Sequence, residues 1–216
     1  MMENKRLKEI ANLISAKQII DVGSDHGYLP IYLLKNDKID QAIIIEINVD
    51  PLLNAKKNAL KYGVDQKITY MLSNGIRELK SANGAEIIIS GMGGNLIINI
   101  LNENFKILKE RLIIQPNNNE IIVRKQMKKW NFHIEKEVLI KENKIIYSIL
   151  VINPKKENDY TESEITLGKY ENKILLNEKL KAEKNHLINI YNKIPEEKKT
   201  KELKERINKY NLELGE

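Results

Sequence analysis

The 216-residue sequence has no cysteine. That excludes disulfides, thiol nucleophiles and cysteine–zinc sites in one step. Its three histidines stand far apart, at positions 26, 133 and 186, so no histidine metal cluster is expected. Aromatic residues make up only 6% of the chain. Apolar runs such as Ile43–Ile45 and Ile87–Ile89 fall far short of the ~20 residues that a bilayer-crossing helix needs. No membrane segment is expected, and neither is a metal. The residues from Met1 to Arg6 lead into an amphipathic stretch without the apolar centre of a signal sequence. The expectation is therefore a cytoplasmic α/β protein.

Charge of one sign does not dominate either. Thirty-six Lys and Arg face 30 Asp and Glu, a net charge of +6. Such an excess fits a polyanionic partner through phosphate neutralisation. It fits equally the drift of a chain rich in Ile, Lys and Asn. Its placement is more informative: residues 155–216 hold 14 basic and 13 acidic side chains, against 22 and 17 in the first 154.

Glycine marks a boundary, since eight of the ten precede residue 155. The break falls at Asn153-Pro154, where a strand is expected to end. Two units follow, residues 1–154 and residues 155–216. In the first, short Ile-rich runs at Gln18–Val22, Ala42–Glu46, Ile68–Leu72, Glu86–Ser90 and Arg111–Gln115 read as buried strands. Helical patterns lie between them at Tyr28–Lys35, Pro51–Tyr62, Asn95–Lys109 (with a break near Asn102) and Glu120–Trp130. Asp50-Pro51 reads as an N-cap followed by proline at the first helical position. This alternation predicts a parallel sheet covered by helices on both faces. Phe132–Ile140 and Lys144–Ile152 are separated by only three residues, too few for a crossover, and so predict an antiparallel hairpin. In the second unit Leu180, Leu187 and Ile194 recur at seven-residue steps. Apolar residues resume at Leu203, Ile207, Tyr210 and Leu214 beyond Pro195. Two helices joined near Pro195–Lys199, a coiled-coil hairpin, are predicted. Too short to stand alone, it must also pack on the main unit or on a partner.

The chemistry concentrates at the expected carboxyl ends of the strands. Strand one runs into Asp21-Val22-Gly23-Ser24-Asp25-His26-Gly27. Its two glycines allow a sharp turn and close backbone approach, and the helix from Tyr28 aims its N-terminal amides at the same place. The intervening Asp25 repels a diphosphate, unlike the G-x-G-x-x-G cradle, but suits a ligand with an ammonium and a sulfonium. S-adenosylmethionine is such a ligand. Glu46, with Ile47 beside it, follows Gly27 by 19 residues; a carboxylate there can accept from ribose hydroxyls, or be an ordinary strand-end glutamate. Asn74-Gly75 after strand three can read an adenine, or be an ordinary Asn-Gly turn. Ser90-Gly91-Met92-Gly93-Gly94 after strand four brings three glycines to the edge where open α/β sheets bind ligands. Gln115-Pro116-Asn117 closes strand five with two amides that either face a base or form a turn and N-cap. Trp130, Phe132 and His133 are expected to pack at a helix–strand junction.

These residues together resemble the bacterial TrmK family, the tRNA (adenine(22)-N1)-methyltransferases. The resemblance runs over Asp21-Val22-Gly23-Ser24-Asp25-His26 with Tyr28-Leu29-Pro30, then Gly91-Met92-Gly93-Gly94, then Leu112–Asn117, and the hairpin segment Lys144–Tyr147. It covers about residues 5–153. Asn74 stands where the family more usually has aspartate, and Gly27 where it has alanine.

The resemblance implies a class I Rossmann-like sheet that transfers methyl from S-adenosylmethionine to N1 of an adenine in the D-arm of tRNA. Asp21, Gly23, Ser24, Asp25, Gly27, Glu46, Ile47, Asn74, Gly75, Ser90, Gly91, Met92 and Gly93 would hold the donor. Asp25, His26, Tyr28, Gln115 and Asn117 would serve the target base, the last two by holding it. N1 of neutral adenine carries a lone pair and no proton, so no general base is needed, and alignment dominates. The target nucleotide would be flipped out of its stack, and the helical tail would contact tRNA. A monomer or weak dimer is expected. Competing readings are another S-adenosylmethionine-dependent RNA methyltransferase, an NAD- or nucleotide-dependent enzyme on a related sheet, and a binding module built on the helical tail.

Overall fold

The computed structural model describes residues 4–195 and 200–215. Seven strands form one sheet: β1 (Gln18–Val22), β2 (Gln41–Glu46), β3 (Ile68–Leu72), β4 (Glu86–Met92), β5 (Leu112–Pro116), β6 (His133–Glu142) and β7 (Ile145–Asn153). Their order across the sheet is β3-β2-β1-β4-β5-β7-β6. The first five are parallel, and β7 inserts antiparallel between β5 and β6. This is the Rossmann-like arrangement with a reversed terminal hairpin expected from the sequence. The chain reverses direction across the sheet between β1 and β4, and crevices at such switch points receive ligands.

The parallel strands read as unbroken Ile runs because helices cover both faces. One face carries α4 (Gly94–Glu103) and α5 (Glu120–Lys129), packed through Ile97, Leu101, Val123 and Met127. The other carries α1 (Lys5–Leu13), α2 (Tyr28–Lys35) and α3 (Val49–Lys61), packed through Ile10, Leu33, Ala55 and Ala59. Asn4 caps α1, its Oδ1 accepting from the Leu7 N–H at 2.9 Å. Burial of a leucine or isoleucine side chain contributes about 1.5–3 kcal/mol, so these two layers dominate stability.

Trp130 and Phe132 pack with Phe105 at the end of α5, the expected helix–strand junction, with ring centroids 5.1–5.6 Å apart, whereas His133 turns its Nδ1 to Asp159 Oδ1 at 3.2 Å. One sequence expectation needs correction. The position before α3 is Asn48, not Asp50, and Asp50 and Pro51 lie inside the first turn. Proline is tolerated there because the first-turn amides have no intrahelical partner. The long pattern from Asn95 ends at Glu103, and only a 3-10 turn (Phe105–Ile107) follows. Asn104 stops it: its side-chain amide donates to the carbonyls of Ile76 (3.1 Å) and Leu79 (2.7 Å), fixing the break two residues after Asn102.

Beyond β7 lie α6 (Glu162–Leu167), α7 (Lys173–Lys193) and α8 (Lys201–Leu214). The predicted connection at Pro195–Lys199 falls mostly outside the described residues. Leu176, Leu180, Leu187 and Tyr210 form a separate core with Leu139 on β6 and Ile146 on β7. The tail therefore packs on the terminal hairpin. Glu137 of β6 also bridges to Tyr170 of the segment between α6 and α7.

Candidate active site

The first crossover turn is built around two buried carboxylates. Asp21, next to last in β1, has 5% of its surface exposed, and Ser24 Oγ donates to its Oδ2 at 2.5 Å. Burial, reinforced by the nearby Glu46 charge, pushes the Asp21 carboxyl up to about 7. Glu46 ends β2, and its Oε1 accepts the Asp25 backbone N–H. Burial raises the Glu46 pKa above the ordinary carboxylate value as well. The loop between takes left-handed backbone at Gly23, Asp25 and Gly27. Gly23 has a φ of 73°, which favours glycine there, and the flexible Met92 methyl lies over it where a Cβ would otherwise stand. Asn58 of α3 fixes the loop from outside by donating to the His26 carbonyl at 2.9 Å. The exposed Asp25 carboxylate approaches His26 Nε2 at 3.4 Å, and the His26 and Tyr28 rings lie 5.2 Å apart.

The loops after β4 and β5 form one shelf beside this turn. Gln115 Oε1 accepts the Gly91 N–H at 3.0 Å, and Asn117 Nδ2 donates to the Gly91 carbonyl at 2.6 Å. Backbone bonds from Asn117 N to Met92 O (2.8 Å) and from Gly94 N to Asn118 O (3.1 Å) complete the stitching. Gly94 is required by that approach, since a Cβ there would meet the Asn119 carbonyl at 2.7 Å. The expectation that Gln115 holds a base is corrected by its surroundings. Its side chain is fully buried, and its Nε2 donates to Pro116 O and Asn117 Oδ1. Gln115 sets the shelf, while the exposed Asn117 presents it.

A cleft of about 340 Å³ opens between turn and shelf, lined by Asp21, Gly23–His26, Tyr28, Ser90 and Gly91, with Asn4, Arg6 and Leu7 closing one side. Glu46, Ile47, Asn74, Gly75, Met92 and Gly93 lie outside that lining; Ile47 and Asn74 are exposed at the same strand edge. Gly75 instead packs against Ile100 of α4. Arg6 is the residue that sequence reasoning missed. It lies on α1, and nothing in an amphipathic helix reveals which charge turns inward. Its guanidinium sits over the Tyr147 ring, 5.0 Å from the centroid. A neighbouring groove of about 500 Å³ leads from Asn117–Glu120 past Tyr147 to Lys179, His186 and Arg206 on the tail helices. A third cavity, of about 280 Å³, is lined by Gln18, Gln41 and Lys67 at the starts of β1–β3, the wrong end of the sheet for strand-end chemistry. Among the described residues no group of three acidic or histidine side chains is placed to hold a metal ion. No described helix is long and apolar enough to cross a membrane.

The cleft is thus rich in acid and in exposed backbone, at the carboxyl end of a switch-point strand. Comparison with known proteins agrees. The family described as tRNA (adenine(22)-N(1))-methyltransferase matches residues 19–212. A curated Bacillus subtilis protein of that name is 37% identical over 151 residues, which span 68% of this chain and 63% of the relative. A Mycoplasma capricolum TrmK structure with S-adenosyl-homocysteine superposes with a TM-score of 0.89 at 33% identity, covering 100% of this chain and 99% of that one. A Streptococcus pneumoniae protein solved with S-adenosyl-L-methionine gives 0.88 at 32% identity, covering 99% and 100%.

Proposed function

The chain belongs to the tRNA (adenine(22)-N(1))-methyltransferase family, and on that premise we propose that it methylates N1 of the adenine at position 22, in the D-arm of tRNA, using S-adenosylmethionine. The observation that carries the reading is the acidic turn at the switch point, where buried Asp21 and exposed Asp25 are joined by buried Glu46 from the end of the neighbouring strand β2. Three carboxylates repel a diphosphate and favour a donor that carries an ammonium and a sulfonium. The Gly23 and Gly27 N–H groups are taken by the Ile45 and Ser24 carbonyls (2.9 and 3.1 Å) and so fix the turn around Ser24, which leaves the first-turn amides of α2 to face such a donor. Ser90, Gly91, Met92 and Gly93 form the opposite wall, and Glu46, Ile47, Asn74 and Gly75 extend the same edge toward the nucleoside.

Bound there, S-adenosylmethionine supplies a methyl group on a positively charged sulfur. The adenine N1 lone pair takes that methyl while the C–S electron pair returns to sulfur, so positive charge moves from donor to base. No proton need be removed, and the residues act by alignment and charge. Asp25 faces the developing cation. Asn117 has one side-chain N–H left for the base edge, its other groups being tied to Gly91, Gln115 and Arg6, and His26 and Tyr28 wall the pocket.

Residues 1–154 would form the donor-binding unit and residues 155–216 the tRNA-contacting one. The groove from Asn117 to the tail helices supports this division. The protein would act in the cytoplasm, as a monomer or weak dimer and without a metal. Transfer of labelled methyl from S-adenosylmethionine to unmodified tRNA tests the reading. Label should enter the wild-type transcript and be lost when guanine replaces adenine 22; equal labelling of both would reject the assigned position.

A further inference from the structure

We propose that Arg6 is the carboxylate clamp of the donor site, its guanidinium receiving the α-carboxylate of the donor's amino-acid arm. The inference rests on the donor assignment above and adds a ligand from a helix that lies outside both strand-end loops. Arg6 lies in the first turn of α1, held by the Asn4 cap, and lines the cleft with Asp21, Ser24 and Gly91. Both of its terminal nitrogens stand 4.0 Å from the position a Cβ on Gly91 would take, so the fork faces the wall opposite the acidic turn.

Its present partners leave it under-used. Nη1 donates to Asn117 Oδ1 at a long 3.4 Å, the ring of Tyr147 lies beneath, and Nε is shut off from solvent with no hydrogen-bond acceptor. Among the described residues no carboxylate pairs with Arg6. An arginine so placed has a planar donor edge matched to an oxyanion.

The charge layout of the cleft selects which oxyanion. Asp21 and Asp25 favour an ammonium but repel a carboxylate, and a free amino-acid arm carries both. The lining holds no lysine, and its one histidine faces Asp25. Arg6 is the one fixed cation in that lining, and it stands on the Gly91 side of the cleft. A zwitterion therefore fits the cleft in one orientation.

Calorimetric titration with S-adenosylmethionine and with its decarboxylated analogue tests this directly. Wild type should bind the analogue roughly 30-fold more weakly, the scale of one charge-assisted bidentate pair. Arg6→Gln should weaken S-adenosylmethionine by a similar factor and bind the two ligands within about threefold of each other. Arg6→Lys, a point charge without the fork, should fall between them. Equal binding of the two ligands by wild type overturns the assignment without any variant, which covers a variant that fails to fold. An undiminished preference in a folded Arg6→Gln overturns it too. So does a loss confined to tRNA affinity with a lower salt dependence, which would make Arg6 a phosphate contact. Failure of wild type to bind S-adenosylmethionine at all would instead remove the donor assignment itself.

Discussion

Arg124 on α5 and Glu137 on β6 form an ion pair sealed from water, Nε to Oε1 at 2.6 Å, with side-chain exposures of 2% and 0%. Arg124 also donates to the Tyr170 hydroxyl, which in turn donates to Ser148 Oγ at 2.8 Å. The helix that follows the Gln115–Asn117 shelf is thereby tied both to the terminal hairpin and to the start of the tail.

Arg124→Met leaves Glu137 charged and buried without its partner. Such losses cost about 3–5 kcal/mol, and urea denaturation should show an unfolding free energy lower by that amount. The double variant with Glu137→Gln removes the orphaned charge while keeping an acceptor for the Lys169 N–H. It should be more stable than Arg124→Met alone.

Asp25→Asn separates charge from geometry. Asp25 has a φ of 55°, a conformation asparagine adopts readily. Its N–H bond to Glu46 comes from the backbone and survives. Turnover should fall about a hundredfold, while the Kd for S-adenosylmethionine stays within about tenfold, or 1.4 kcal/mol. Parallel loss of both would make Asp25 a donor ligand only.

Asp21 carries a pH dependence of defined sign. Its folded pKa of about 7 lies above the ordinary 3.8. Between those values the folded state holds a proton that the unfolded state has lost, so stability falls as pH rises and levels off above about 7. Asp21→Asn, which can still accept from Ser24, removes this contribution. Its stability relative to wild type should increase from pH 5 to pH 8 in urea titrations. Donor affinity should tighten over the same range in wild type, because the ionised carboxylate attracts the ammonium, and should do so less in the variant.

Gln115→Ala leaves the Gly91 N–H without its side-chain acceptor and frees Asn117 from one tether. Gly91 is exposed, so water takes over part of that bond and the loss should be about 1 kcal/mol, visible as a lower denaturation midpoint. The KM for tRNA should rise and kcat fall, whereas donor affinity changes less, since Gln115 lies behind the shelf rather than in the cleft.

The strands were legible because burial on both faces leaves an unbroken Ile signature, as in Ile87–Ile89 and Ile43–Ile45. The acidic turn was legible because Asp21, Gly23, Asp25 and Gly27 alternate within one short segment, to which Glu46 of β2 adds a third carboxylate. Gln115 was misread because position at a strand end says nothing of which way an amide turns, and the bond that claims it comes from Gly91, 24 residues away. Arg6 stayed hidden for the same reason at longer range, with Asn117 and Tyr147 reached only through packing of α1 on the hairpin. The start of α3 was misjudged by two residues because proline fits any position of the first turn, not the first alone.

The bridge between Glu137 and Tyr170 also bears on solubility. β6 is the last strand of the sheet on its side, and a bare border of backbone donors and acceptors templates pairing with another copy. Here the segment leading into α7 lies along that border, with the Lys169 N–H donating to the Glu137 carboxylate and Tyr170 sealed beneath. The tail is thus a guard against self-stacking, and shedding it would uncover both an apolar face and a strand rim together.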